Sequence, residues 1–365
     1  MRIESIQYEE LDSGWKLLET KFASDVTLLV GLSGAGKTRI LSAIRNLCSL
    51  ATSNSIELST PIQFELVFKT ADGAEFTWTG RTKKIAENFV FSEESLSVAG
   101  VYIFKKDSES LEFRDQQLPA LSGSMSGLRL FKDSEISEVL QGFENTVLVN
   151  HGTPPEWHVE VQSKKEFDAI ISKCPTIVEL RKSDLSLQSR VFLASHVAKD
   201  EFNEINSRFV SIFPSIDKLE LFSPSVDDYQ VFVPMVFEKG LKRPYQFSNL
   251  SAGMLNALRL IAYCYLWPQD TLVLIDEFES SMGVNCLDDA TDLVLETSQR
   301  MQFILTSHHP YVINNIRPEN WKIVSRNGSE VSTHDAGAIG IGSSHHTAFT
   351  QLMNSPEYAK GILSE

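Results

Sequence analysis

The chain has 365 residues, 42% of them hydrophobic and 22% charged, with a formal net charge of −15. That size supports a large core in one big domain or two intimate ones, and the composition is that of an ordinary globular protein. No window approaches the roughly 18 apolar residues a membrane-spanning helix needs, so none is expected. The acidic balance weighs against general nucleic-acid binding, which uses a basic face to displace counterions from phosphates. Arg181-Lys182 and Lys242-Arg243 are pairs, not stripes.

Met1-Arg2-Ile3-Glu4-Ser5 reads as a strand and lacks the apolar stretch and cleavage site of a signal peptide. Val26 to Val30 is a short, β-branched apolar run, hence a buried strand. A loop from Gly31 to Thr38 follows, and then Ile40, Ile44 and Leu47 recur at helical spacing. From Ile62 the period changes to two. Ile62, Phe64, Leu66 and Phe68 alternate with polar residues, Asp72-Gly73 turns the chain, and Phe76 and Trp78 alternate again, which predicts an antiparallel hairpin. Val101 to Phe104 and Leu111 to Phe113 extend it, and Leu118 to Gly127 reads as a loop.

Residues 130 to 215 read as mostly helical, with amphipathic stretches marked by Ile170, Ile171 and Cys174 and by Val191 to Phe213. Leu219 to Leu221 and Tyr229 to Val233 read as strands. Met254 to Trp267 is a helix apolar on nearly all sides. Leu272 to Ile275 and Phe303 to Leu305 are buried strands with a helix around Leu287 to Leu295 between them, and Trp321 to Val331 is a hairpin on Asn327-Gly328. Apolar strands at both ends of the chain, joined by a crossover helix, imply a parallel-type sheet built from the two ends. The four cysteines are scattered without metal-type spacing, which predicts free thiols in a reducing cytoplasm.

Four short stretches carry chemistry. Gly31-Leu32-Ser33-Gly34-Ala35-Gly36-Lys37-Thr38 satisfies G-x-x-x-x-G-K-[ST] between a strand and a helix. Its backbone amides, with those of Ser33, Gly34 and Ala35 among them, suit phosphate oxygens, as does the helix N-terminus behind them. Lys37 is placed to hold β- and γ-phosphates, and Thr38 to offer a hydroxyl to Mg²⁺. Asp276-Glu277 ends an apolar strand, Asp276 suited to Mg²⁺ and Glu277 to a general base on water. Acids are also common where a strand simply exits into solvent. Leu250-Ser251-Ala252-Gly253-Met254 opens a helix, where Ser251 and Gly253 can form a second anion site or Ser251 can be a plain N-cap. Thr306-Ser307-His308 follows a buried strand, with His308 placed to sense a γ-phosphate and His309 the alternative.

The order of these parts resembles that of ATP-binding-cassette ATPases, and within them the SMC/RecF-like heads. The compact prokaryotic ATPases of the OLD and Septu kinds are the nearest likeness. The resemblance covers the two ends of the chain well and the middle poorly. It implies an α/β P-loop head with a parallel-type core sheet, an antiparallel β subdomain and a helical subdomain. With only about 210 residues between Thr38 and Leu250 there is no room for a long coiled coil. The nucleotide-binding lobe is expected from 1–120 and 255–335, and a helical insert lobe from about 121–254. ATP and Mg²⁺ are the implied cofactors. Glu277 and His308 are the implied catalytic residues, and Ser251 and Gly253 are implied to act in trans in an ATP-clasped homodimer.

The resemblance further implies a slow, regulatory ATPase that controls a separate effector, a nuclease or toxin, in phage defence. A RecF-like head that binds DNA directly, a transporter subunit and a non-hydrolysing scaffold are the alternatives. The signature departs from the transporter form at Ala252 and Met254, and Leu287-Asp288 lies farther beyond Glu277 than in transporters. About 55 residues follow Pro310, so any nuclease is expected on a separate chain. Gln116 and Gln117 are the candidates for a Mg²⁺-sensing glutamine. Asn285 to Asp288 reads as a loop reaching a partner or as a helix start, and His345-His346 as a solvated loop after Gly340-Ile341-Gly342.

Overall fold

The computed structural model of the chain describes residues 1–119, 123–150, 157–280, 282–342, 345–359 and 361–363. Its strands and helices run in the order β1 (Arg2–Glu10), β2 (Lys16–Lys21), β3 (Val26–Val30), α1 (Lys37–Thr52), β4 (Ile62–Lys69), β5 (Glu75–Ile85), β6 (Asn88–Val98), β7 (Val101–Asp107), β8 (Leu111–Phe113), β9 (Gln116–Leu118), α2 (Gly127–Leu130), α3 (Ser134–Glu144) and β10 (Val147–Asn150). The middle contains β11 (Glu160–Ser163), α4 (Lys164–Lys173), α5 (Ile177–Lys182), α6 (Leu187–Val197), α7 (Lys199–Ile212), β12 (Ile216–Phe222), β13 (Ser225–Val226), β14 (Tyr229–Glu238), β15 (Tyr245–Gln246) and α8 (Ala252–Leu266). The last third adds β16 (Leu272–Asp276), α9 (Val284–Thr297), β17 (Gln302–Thr306), α10 (Pro310–Asn315), β18 (Trp321–Asn327), β19 (Glu330–Asp335), α11 (His345–Asn354), α12 (Pro356–Ala359) and β20 (Ile362–Leu363). These form two compact units. The first comprises Met1–Val149, Asp270–Phe278 and Ser298–Glu365, and the second Asn150–Gln269 and Glu279–Thr297.

The first unit is organised by one mixed sheet of 15 strands among the described residues. Its centre is parallel: β16 pairs β17, β17 pairs β3, and β3 pairs β18. All five residues of β3 and of β17 are buried, as expected of strands covered on both faces. From β18 the sheet passes through β19, β2 and β1 into the antiparallel run β4 to β9. The parallel core and the antiparallel part anticipated from the sequence are therefore one continuous sheet. The alternation at Ile62, Phe64, Leu66 and Phe68 places all four side chains in the core, where Phe68 and Trp78 pack against Phe143 of α3.

Two polar devices tie this sheet together. The buried carboxamide of Gln302 accepts from Ile3 N at 2.7 Å and donates to Ile3 O and Ala23 O, both at 2.8 Å. It satisfies main-chain groups that a twisted sheet leaves unpaired. Glu94 is buried and accepts hydrogen bonds from Trp78 Nε1, Ser126 Oγ and Gly127 N, with Lys106 Nζ at 3.8 Å. Burial pushes its carboxyl above the ordinary range against the pull of Lys106.

Among the described residues the second unit packs α4 to α9 with a five-stranded antiparallel sheet centred on β14. The stretch from Val191 to Phe213 divides into α6 and α7, with Ala198 in a non-helical conformation between them. Asp200 and Glu201 in the first turn of α7 favour a new helix start there. Buried Arg190 closes the end of α8. Its guanidinium donates to the carbonyls of Leu185, Arg181, Ser183 and Leu266 and lies 3.8 Å over the Trp267 ring. Burial lowers its pKa to about 10, so it stays charged at neutral pH.

Asn285 to Asp288 forms the first turn of α9, the helix-start alternative. His345 opens α11, so the expected solvated loop there is a helix, and the side chains of His345 and His346 lie outside the described residues. Residues 120–122 of the expected 118–127 loop, and Ser281, also lie outside them. All four cysteines are buried, and none forms a disulfide among the described residues. No helix among the described residues is long and apolar enough to cross a membrane.

Replacing Gln302 by Leu leaves the amide and carbonyl of Ile3 without their buried partner. The expected cost is about 1–3 kcal/mol per orphaned group, read as a lower urea midpoint. An unchanged midpoint contradicts the role given to this side chain.

Candidate functional site

The parallel register brings three strand ends to one edge of the sheet. Ile275 stands opposite Leu305, Thr306 opposite Leu29, and Ile323 opposite Val30. The residues that follow β3, β16 and β17 therefore emerge together at the carboxyl end, where open α/β sheets bind ligands. They are the loop from Gly31 to Thr38, Asp276-Glu277, and Ser307-His308.

Steric space requires the loop's glycines. A Cβ on Gly31 falls 2.5 Å from Val324 O of the neighbouring strand, so only glycine lets the chain leave β3 here. Gly36, at φ +112, is the N-cap of α1, in a region that L side chains rarely adopt, and a Cβ there meets Val331 Cγ2 at 3.1 Å. The N-cap glycine has no side chain to cap α1, and the positive dipole end of the helix lies at Gly36. Ser33 and Gly34 are exposed at the loop's crest and Ala35 is buried beneath it. Lys37 is buried and donates from Nζ to the carbonyls of Gly31 at 2.8 Å and Leu32 at 3.0 Å, which holds its charge along the loop.

The carboxylates meet this loop directly. Asp276 Oδ1 accepts from Thr38 Oγ1 at 3.1 Å and from Thr306 Oγ1 at 2.8 Å. Thr38 and Asp276 thus present hard oxygen donors side by side, a set that fits Mg²⁺. Glu277 is exposed and adopts φ +50, a left-handed conformation costing on the order of 1–2 kcal/mol for a residue with a Cβ. Its N–H donates to Thr306 Oγ1 at 2.7 Å, and the N–H of Phe278 to Thr306 O at 2.9 Å. Phe278 is buried, so the chain turns sharply and leaves the Glu277 side chain in solvent.

His308 is exposed two residues beyond β17. His309 is the N-cap of α10 and accepts from Tyr311 N at 3.2 Å, a role in local structure that separates it from His308. Ser251 is the N-cap of α8 in the second unit, accepting from Met254 N at 3.3 Å, with Gly253 in the helix's first turn. Gln116 and Gln117 are exposed on β9, the last strand of the sheet and ten positions from β3 in strand order. Among the described residues no hydrogen bond from either side chain reaches the loop, and Gln117 Nε2 meets Glu112 of the neighbouring strand. Thr306 is the site residue that pattern reading passed over in favour of His308. The available signal is a hydroxyl closing an otherwise apolar strand at the carboxyl edge.

A family model described as "AAA domain, putative AbiEii toxin, Type IV TA system" matches residues 163–314. The span includes Ser251, Asp276, Glu277 and His308 and begins after the glycine-rich loop. Among solved structures, the chain is similar to an SMC head bound to the C-terminal winged-helix domain of ScpA. The identity is 14%, the match covers 92% of this chain and 98% of that one, and the TM-score is 0.54. It is also similar to the SMC head domain from Thermotoga maritima, at 16% identity over 92% and 99% of the two chains with a TM-score of 0.45. No curated protein matches the chain. The fold is thus the SMC-head-like α/β fold, in which a large mixed sheet carries a P-loop.

Replacing Lys37 by Ala removes the cation held along the loop. The expected result is a loss of ATP affinity of about 10- to 100-fold, the worth of one charge-assisted hydrogen-bonding group, measured with a fluorescent nucleotide. Wild-type affinity in this variant removes the loop as the phosphate site.

Proposed function

We propose that the protein binds ATP with Mg²⁺, hydrolyses it slowly and closes as a homodimer around the nucleotide. In this reading the dimer regulates a separate effector protein, a nuclease or toxin, in defence against phage. The observation that carries the ATPase reading is the junction of Thr38, Asp276 and Thr306 at one sheet edge, with Glu277 exposed beside it. The glycine-rich loop, Lys37 and the α1 N-terminus take the phosphates. Thr38 and Asp276 hold Mg²⁺, which neutralises phosphate charge when bound. Glu277 accepts the proton of the attacking water, and His308 reports on the γ-phosphate from the neighbouring strand.

Support for closure in trans comes from Ser251 and Gly253. They open a 15-residue helix and provide a second anion-type N-terminus in a chain whose own phosphate loop is already a full cradle. The order of parts, with Leu-Ser-x-Gly between the loop and the Asp-Glu pair, supports the same reading and its likeness to the OLD and Septu kinds. Support for a protein effector comes from the net charge of −15, from the toxin–antitoxin description of the matching family and from the similar head bound to ScpA. The lobes at 1–120 with 255–335 and at about 121–254 remain our functional division of the chain.

Replacing Glu277 by Gln keeps shape and removes the base. Turnover is expected to fall by at least about 100-fold, within the range for loss of a general base, while ATP still binds. Light scattering with ATP should then show a stable dimer. A Glu277→Gln chain that binds ATP and stays monomeric contradicts the closure, and one that retains wild-type turnover contradicts the role of Glu277.

A further inference from the structure

Thr306 ties three consecutive residues of the carboxylate segment to one point on β17, and we infer that it is a positioning residue that sets both the metal-binding carboxylate and the base. This rests on the ATPase reading above. Thr306 is 1% exposed and ends β17, where the parallel ladder with β16 stops at Ile275 and Leu305. Beyond that point its side chain takes over from the ladder. The N–H of Glu277 can only donate, so Thr306 Oγ1 must accept it at 2.7 Å. The single hydroxyl proton is then left for Asp276 Oδ1 at 2.8 Å. The direction of both bonds is fixed by donor chemistry and not by a choice of rotamer.

Each bond has a separate consequence. The bond to Asp276 holds the same oxygen that Thr38 meets at 3.1 Å, so it orients the carboxylate toward the Mg²⁺ donor set. The bond to the Glu277 amide, with that of Phe278 N–H to Thr306 O at 2.9 Å, stabilises the left-handed turn at φ +50. That turn decides where the Glu277 carboxylate points. Strained backbone of this kind persists only where surrounding bonds determine it. Thr306 also lies two residues before His308, so a movement of the switch segment acts on Asp276 and Glu277 through a single hydroxyl.

The test compares the full chain with Thr306→Val and Thr306→Ser. Valine keeps the branching and volume and deletes the hydroxyl, whereas serine keeps the hydroxyl. Loss of a hydrogen bond that orients a metal ligand lowers metal affinity or activity by about 10- to 100-fold. Thr306→Val is therefore expected to lower kcat and to raise the Mg²⁺ concentration that half-saturates binding of a non-hydrolysable ATP analogue by about that factor. Binding of the same analogue in EDTA is expected to stay at the wild-type level, and Thr306→Ser to recover most of both losses. Wild-type kcat and Mg²⁺ dependence in Thr306→Val overturn the inference. So does a Thr306→Ser variant that folds and is as impaired as the valine variant. Absence of ATP turnover in the wild-type chain sinks the hydrolytic reading instead, and the Mg²⁺-dependent binding of the analogue still decides the role of Thr306 at Asp276.

Discussion

The candidate site depends first on the parallel pairing of β16, β17 and β3. Parallel strands place their carboxyl ends on one edge, so three segments from opposite ends of the chain meet there. Without that pairing, the loop at Gly31 and the pair at Asp276-Glu277 are separated by more than two hundred residues of chain. The apolar runs Val26–Val30, Leu272–Ile275 and Gln302–Leu305 make the pairing durable, because each is buried on both faces and slipping the register would move Thr306 away from Asp276. Burial energy thus holds polar groups in a geometry that the polar groups alone are too few to enforce.

The same economy appears at the loop. Gly31 and Gly36 are required by what stands beside them, the carbonyl of Val324 and the side chain of Val331. These neighbours belong to β18 and β19, strands near the other end of the chain. The loop is therefore shaped by the closing hairpin on Asn327-Gly328 as much as by its own sequence. Lys37 is buried, and its Nζ donates to the main-chain oxygens of Gly31 and Leu32 in this loop. In the second unit Arg190 plays a comparable part at the far end of α8, where its guanidinium donates to four carbonyls. A buried guanidinium is tolerated there because its donors are met by carbonyl oxygens and its face by Trp267.

Much of this was legible before any coordinates. The period-two alternation around Phe64 and Phe68, the apolar strands at 272 and 303 and the strand–loop–helix around Lys37 each carry a local signal strong enough to survive tertiary context. Where the reading failed, the signal was short or shared. Ala198 has no strong helix-breaking chemistry, so α6 and α7 read as one stretch. Residue type likewise does not say on which strand of a sheet Gln116 and Gln117 lie; the structure puts both on β9. By sequence Thr306 is only the residue that follows a buried strand, because its importance lies in two hydrogen bonds to residues about thirty positions back in the chain.

The sequence by itself determined the identity of the chemical groups: a glycine-rich loop with Lys37 and Thr38, paired carboxylates at 276 and 277, and a capped helix at Ser251. Those follow from residue type and local spacing, which act over a few residues. Only the tertiary structure decided how the groups are aimed. The clash that makes Gly31 obligatory, the left-handed turn at Glu277 and the hydroxyl that joins it to Asp276 all arise between strands distant in sequence. Long-range pairing of buried strands sets those contacts, and it leaves no local trace in the residues that make them.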